Sequence, residues 1–176
     1  MTLGLLILRV VVGALFFGHG TQKLFGWFKG PDPEGTGGFF ESLGYHPGRD
    51  MAIVAGVTEA GAGTLLILGL VTPLAAAMVI GVMLNATLAV HAQNGVWNSD
   101  GGYELPLVFS AAAATLAFVG PGSLSVDDAI GPFAGVLWGL AAIALGVIVG
   151  FIVHSMRREE AEAVEEEQTE EGRRAA

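Results

Sequence analysis

Five apolar stretches separated by short polar breaks constrain this chain more than any other feature. They run Leu3–Phe25, Met51–Leu70, Thr72–Ala92, Glu104–Val119 and Pro132–His154. A helix of about 17–25 apolar residues is long enough to cross a bilayer. The expectation is therefore all-α: a transmembrane helical bundle with five spans. Composition agrees, since 14% of the residues are charged against roughly 25% in soluble domains. The opening "MTLGLLILRVVVG" has an apolar core but no basic segment before it and no small-x-small cleavage site, so it reads as a retained helix.

The breaks carry their own signals. "KGPDPEGTGG" reads as a Gly/Pro-rich linker and "FFESLGYHPG" as a short interfacial helix ended by Pro47. "LVTP" reads as a tight hairpin, with Pro73 in the first turn of the next helix. "QNGVWNSDGG" and "GPGSLSVDDAIGP" are loops, the second capped by Ser125 or Asp127. After the last span, "RREEAEAVEEEQTEEGRRAA" holds eight of the seventeen acidic residues and reads as a solvated acidic tail. A net charge of −9 argues against nucleic-acid binding. The absence of cysteine removes disulfides, thiol redox pairs and thiolate metal sites.

Small residues mark where helices meet. Ala52, Gly56, Glu59 and Gly63 fall on one stripe of the second span, and such stripes let membrane helices approach closely. Basic residues flank the first loop (Lys23, Lys29, Arg49) and follow the fifth span (Arg157, Arg158). The positive-inside rule then puts the C-terminal tail in the cytoplasm.

That topology gathers polar groups in one half of the membrane. His19 and Lys23 close the first span, and Glu59 lies about 12 Å into the second. Asn85 has a similar depth in the third, His91 lies nearer the surface, and Glu104 opens the fourth. Ionisable groups inside a membrane are costly and mark function or pairing. A charged Glu59 needs a cation. Axial distance favours His19, since Lys23 can snorkel outward. Arg9, toward the opposite side, either snorkels there or forms a structural ion pair with Glu59. The bland alternative is that the whole set is helix glue. No metal site is expected. His19 and His91 stand on different helices as bis-histidine haem ligation would require, but nothing accompanies them.

Several motifs together resemble the DoxX family of integral membrane proteins. These are the HGxxK of His19, Gly20 and Lys23, the ExGxG of Glu59, Gly61 and Gly63, the loop at His91, and the GYExP of Tyr103, Glu104 and Pro106. The resemblance covers about residues 4–130. It implies a four-helix core over 1–130, to which this chain adds a span at 131–156 and the tail at 157–176. It also implies a place in the cell inner membrane beside other membrane or oxidoreductase subunits, because the family's namesake looks like a subunit of a thiosulfate:quinone oxidoreductase. Relatives are linked to oxidative-stress defence. The functional expectation is an accessory or quinone-interacting subunit without an intrinsic cofactor. His19, Lys23, Glu59, Asn85, His91 and Glu104 would line a ligand or proton pocket, and a quinone would be the ligand. The alternatives are a carrier of small molecules or anions, and a structural assembly subunit with no ligand.

Overall fold

A computed structural model describes residues 2–131, 133–157 and 173. The acidic tail and Arg158 lie outside the described residues apart from Arg173. Among the described residues seven α-helices follow one another: α1 (Thr2–Phe25), α2 (Asp32–Ser42), α3 (Gly48–Leu68), α4 (Thr72–Ala86), α5 (Glu104–Val119), α6 (Val126–Ile130) and α7 (Val136–Ser155). A π-turn at Thr87–His91 and a 3₁₀ turn at Ala92–Asn94 prolong α4. No strand occurs among the described residues.

α1, α3, α4 and α5 close on one another as a four-helix core, and α7 lies outside it against α4 and α5. The closest seam is between α1 and α3. A Cβ on Gly13 or Gly20 would collide with the α3 backbone at Gly63 or at Gly56 and Ala60. Gly63 meets the backbone of Gly13 and Phe17 in return. The whole stripe Ala52, Gly56, Glu59, Gly63 is buried. On α7, Gly146 and Gly150 let that helix lie against Ala77 and Gly81 of α4. Small residues thus set two helix contacts where hydrophobicity supplies little drive within lipid. The remaining core is filled by Phe16, Leu66, Val79 and Leu116, with Phe16 edge-on to Phe109 across α1 and α5, centroids 5.4 Å apart.

α1, α3, α7 and α4 with its prolongation are long and apolar enough to cross a membrane. α5 departs from expectation. Its 16 residues reach about 24 Å, short of the roughly 30 Å hydrocarbon layer. The other difference is α2, which forms from the stretch that reads as a linker. Asp32 Oδ1 accepts from the N–H groups of Glu34 and Gly35, both 3.0 Å away, and so starts the helix. Gly37 then sits directly on the Gly48–Arg49 backbone of α3. Glycines that weaken an isolated helix are here what lets it dock.

Candidate functional site

The helix directions give the bundle two polar ends. One holds the C-terminus of α1, the N-termini of α3 and α5, and the C-termini of α4 and α7. The other holds the α3–α4 hairpin, α6 and the N-terminus of α1.

At the first end Lys23 Nζ donates to Glu59 Oε2 at 2.7 Å. The lysine side chain is 21% exposed and the glutamate 7%, so the carboxylate is the buried partner and the ammonium the one near the opening. The pair lies beside the α1–α3 glycine seam, Lys23 one turn beyond Gly20 and Glu59 between Gly56 and Gly63. Close backbone approach is what lets a side chain from each helix meet. Glu59 Oε1 makes no hydrogen bond among the described residues. His19, four residues before Lys23, lies exposed on the outer flank of α1.

Asn85 has a different partner. Its Oδ1 accepts from the Tyr45 hydroxyl at 2.7 Å. Tyr45 is buried, packs on Phe40 and lies under the Arg157 guanidinium. Arg157 Nε donates to the Leu43 carbonyl at 2.7 Å, tying the end of α7 to the loop between α2 and α3. Burial pushes the Tyr45 phenol above its ordinary pKa, and the Asn85 hydrogen bond and the Arg157 charge oppose that shift.

His91 and Glu104 serve the loop between them. His91 Nδ1 lies 2.7 Å from the Gly101 carbonyl oxygen. Glu104 Oε2 accepts from the Asn98 N–H at 3.0 Å. The six expected residues therefore divide into an ion pair (Lys23, Glu59), a Tyr45-bound amide (Asn85), two loop fasteners (His91, Glu104) and an exposed imidazole (His19). No cluster of three or more His, Cys, Asp or Glu side chains suited to a metal occurs among the described residues.

The expected Arg9–Glu59 ion pair is corrected by this geometry, as is the preference for His19 as partner. Glu59 is held by Lys23, and Arg9 lies at the other end. Its guanidinium donates to the carbonyls of Leu66, Ile67 and Leu124. These include the last turn of α3, whose final carbonyls have no partner within the helix. Gly69, at φ +61°, turns the chain there in a left-handed conformation open to glycine.

Sequence reasoning missed what two residues hold. Asp127, expected only as a capping candidate of its own loop, is buried. Its two oxygens accept from Val71 N at 2.7 Å and Thr72 N at 2.8 Å, and its own N–H donates to the Gly69 carbonyl at 2.9 Å. It caps α4 from 55 residues away in sequence, which no local pattern reveals. Tyr45, next to the interfacial helix, gave no sign of its reach to Asn85.

The DoxX family model matches residues 4–92, the region that supplies α1 to the π-turn and with it Lys23, Glu59, Tyr45 and Asn85. An uncharacterized membrane protein of Mycobacterium tuberculosis is 30% identical over 130 residues, covering 68% of this chain and 77% of that protein. No solved structure gives a significant match.

Proposed function

The chain belongs to the DoxX family, and from that premise we propose that it is an accessory or quinone-interacting subunit of a membrane oxidoreductase or stress-detoxification complex. The Lys23–Glu59 pair carries the reading. Its one hydrogen bond leaves Glu59 Oε1 and two of the ammonium protons for a ligand. Spare donors beside a spare acceptor fit a quinone carbonyl. A quinone supplies the redox chemistry when bound. The chain's own residues orient it and hold a proton: Lys23 donates to the carbonyl oxygen, and Glu59 Oε1 takes up or releases a proton. His19, on the outer flank, faces whatever approaches from the bilayer or from a neighbouring subunit.

The protein is a membrane protein, and in this reading it is multi-pass in the inner membrane with its C-terminal tail in the cytoplasm. Lys23, Lys29, Arg49 and Arg157 all belong to one end of the bundle, which supports that orientation.

The test is a titration of a quinone analogue into the detergent-solubilised protein. The wild type should bind, and Lys23→Met and Glu59→Gln should each weaken binding by about tenfold, the scale of one hydrogen bond to a charged group. His19→Ala should weaken it less. Equal affinity in all four proteins would make the pair helix glue and sink the assignment.

A further inference from the structure

The loop that joins α4 to α5 carries a different chemistry, which does not rest on the oxidoreductase reading. The chain has three asparagines, and each is held differently. Asn85, within α4, is half-buried, and its Oδ1 is taken by the Tyr45 hydroxyl at 2.7 Å. Asn98 precedes Ser99, and its own N–H is tied to Glu104 at 3.0 Å. Asn94 precedes a glycine, Gly95, and both are exposed. The Asn94 amide Nδ2 donates to the carbonyls of Val90 at 3.4 Å and Gly101 at 3.3 Å, beyond the roughly 2.7–3.2 Å of well-made bonds. The Gly95 N–H is held no better, 3.4 Å from the Ala92 carbonyl oxygen. Asn94 also ends its 3₁₀ turn, so the peptide it shares with Gly95 lies outside regular helix. There is room around that peptide: a Cβ on Gly95 would meet nothing within 4 Å.

These are the conditions under which an asparagine reacts with its own backbone. The Gly95 amide nitrogen gives up its proton to solvent and attacks Asn94 Cγ. The Nδ2 group leaves as ammonia, and a cyclic imide remains. Water opens the imide at one carbonyl or the other, leaving aspartate or isoaspartate, with water as the one reagent consumed. Glycine obstructs the closing ring least, having no Cβ. Asp100 also precedes a glycine, but the Gly101 N–H is held by the Asn98 carbonyl at 3.0 Å. We propose that Asn94 is a site of spontaneous deamidation that loosens the loop between α4 and α5. The pairing at risk begins at Gly95. Its carbonyl accepts from the Tyr103 N–H at 3.1 Å, and the Val96 carbonyl accepts from the Glu104 N–H at 2.8 Å. Isoaspartate routes the main chain through the side-chain carbon, which adds a methylene just before this pairing and shifts its register. Either product also puts a carboxylate where an amide donated to the Gly101 carbonyl, leaving His91 to hold that oxygen.

The experiment ages the full chain in phospholipid nanodiscs in heavy-oxygen water at mildly alkaline pH. Peptide mass spectrometry should find water exchanged for ammonia at Asn94, with heavy oxygen in the new carboxyl group. A protein isoaspartate methyltransferase should methylate the aged sample at that residue. Gly95→Ala should slow the conversion about tenfold, because a Cβ on the attacking residue crowds the closing ring. Asn94→Gln should stop it, since glutamine must close a larger ring. In the aged wild type, amide hydrogen exchange at Tyr103 and Glu104 should rise about fivefold, as the loss of one net hydrogen bond predicts. Equal conversion at Asn85 or Asn98, isoaspartate at Asp100 in place of Asn94, an unchanged rate in Gly95→Ala, or unchanged exchange at Tyr103 and Glu104 would each overturn the proposal.

Discussion

The two ends of this bundle hold their charges differently. At one end Arg9 and Asp127 bond to backbone: the carbonyls of Leu66, Ile67 and Leu124 for the guanidinium, the N–H groups of Val71 and Thr72 for the carboxylate. At the other end Lys23 meets Glu59 and Tyr45 meets Asn85, side chain to side chain. Backbone partners cannot gain or lose a proton at ordinary pH, and they cannot leave without unravelling a helix end. Side-chain partners can do both. Equally polar residues in equally apolar helices are therefore held differently, the first set fastening the α3–α4 hairpin through backbone groups and the second joining helices through side chains.

The largest effect should come from the fastening end. Asp127→Ala leaves two buried N–H groups without acceptors and deprives Arg9 of its nearby negative charge. The loss should be about 3–5 kcal/mol, read by thermal or SDS-induced unfolding in mixed micelles. A loss below that of the Lys23 and Glu59 variants would erase the distinction between the ends.

Arg9→Met comes next, at about 2–3 kcal/mol, because the carbonyls it leaves are partly served by other groups near the hairpin. The double variant Arg9→Met/Asp127→Ala should cost less than the sum of the two, since the residues fasten the same hairpin from opposite charges. Strict additivity would mean that they act independently.

The fold was legible where a property repeats along the chain. Apolar runs revealed the long helices, and the small residues of α3 revealed a packing face without naming α1 as the helix it meets. α5 is the marginal case, since its sixteen mostly apolar residues make it shorter than the other four apolar helices. α2 was hidden because its glycines lower helix propensity, an effect that docking on Gly48 outweighs. The candidate site was legible as a list of residues but not as a set of partners. Lys23 was judged a snorkelling surface group, yet the glycine seam draws α1 and α3 close enough for it to reach Glu59. Arg9 was paired by charge with a residue on the wrong end, because carbonyl oxygens carry no side-chain signature. Asp127 was legible as a capping candidate of its own loop but not as the acceptor for Val71 and Thr72, because backbone N–H groups carry no side-chain signature either.

At the end joined side chain to side chain the expected losses are smaller and unequal. Lys23→Met strands a carboxylate that is only 7% exposed and should cost about 2 kcal/mol. Glu59→Gln leaves a lysine that can turn toward water and should cost about 1 kcal/mol or less. The same unfolding titration measures both. The reverse order would mean that Lys23, not Glu59, is the member held away from solvent.

The smallest effect belongs to Tyr45→Phe, which removes one hydroxyl and its bond to Asn85 while keeping the ring under Arg157. The cost near neutral pH should be about 1 kcal/mol. Its sharper signature is in pH. Burial raises the folded-state pKa of Tyr45 above its ordinary value, so the folded protein holds the phenolic proton more tightly than the unfolded chain does. That contribution is fully present below the ordinary tyrosine pKa and is lost as pH rises through the raised folded value. Wild type should therefore lose stability in alkaline solution more steeply than Tyr45→Phe, and the gap between them should narrow as pH rises. Parallel unfolding curves across that range would place the phenol in water, and would separate the Asn85 amide from the buried side-chain pairs that distinguish this end of the bundle from the other.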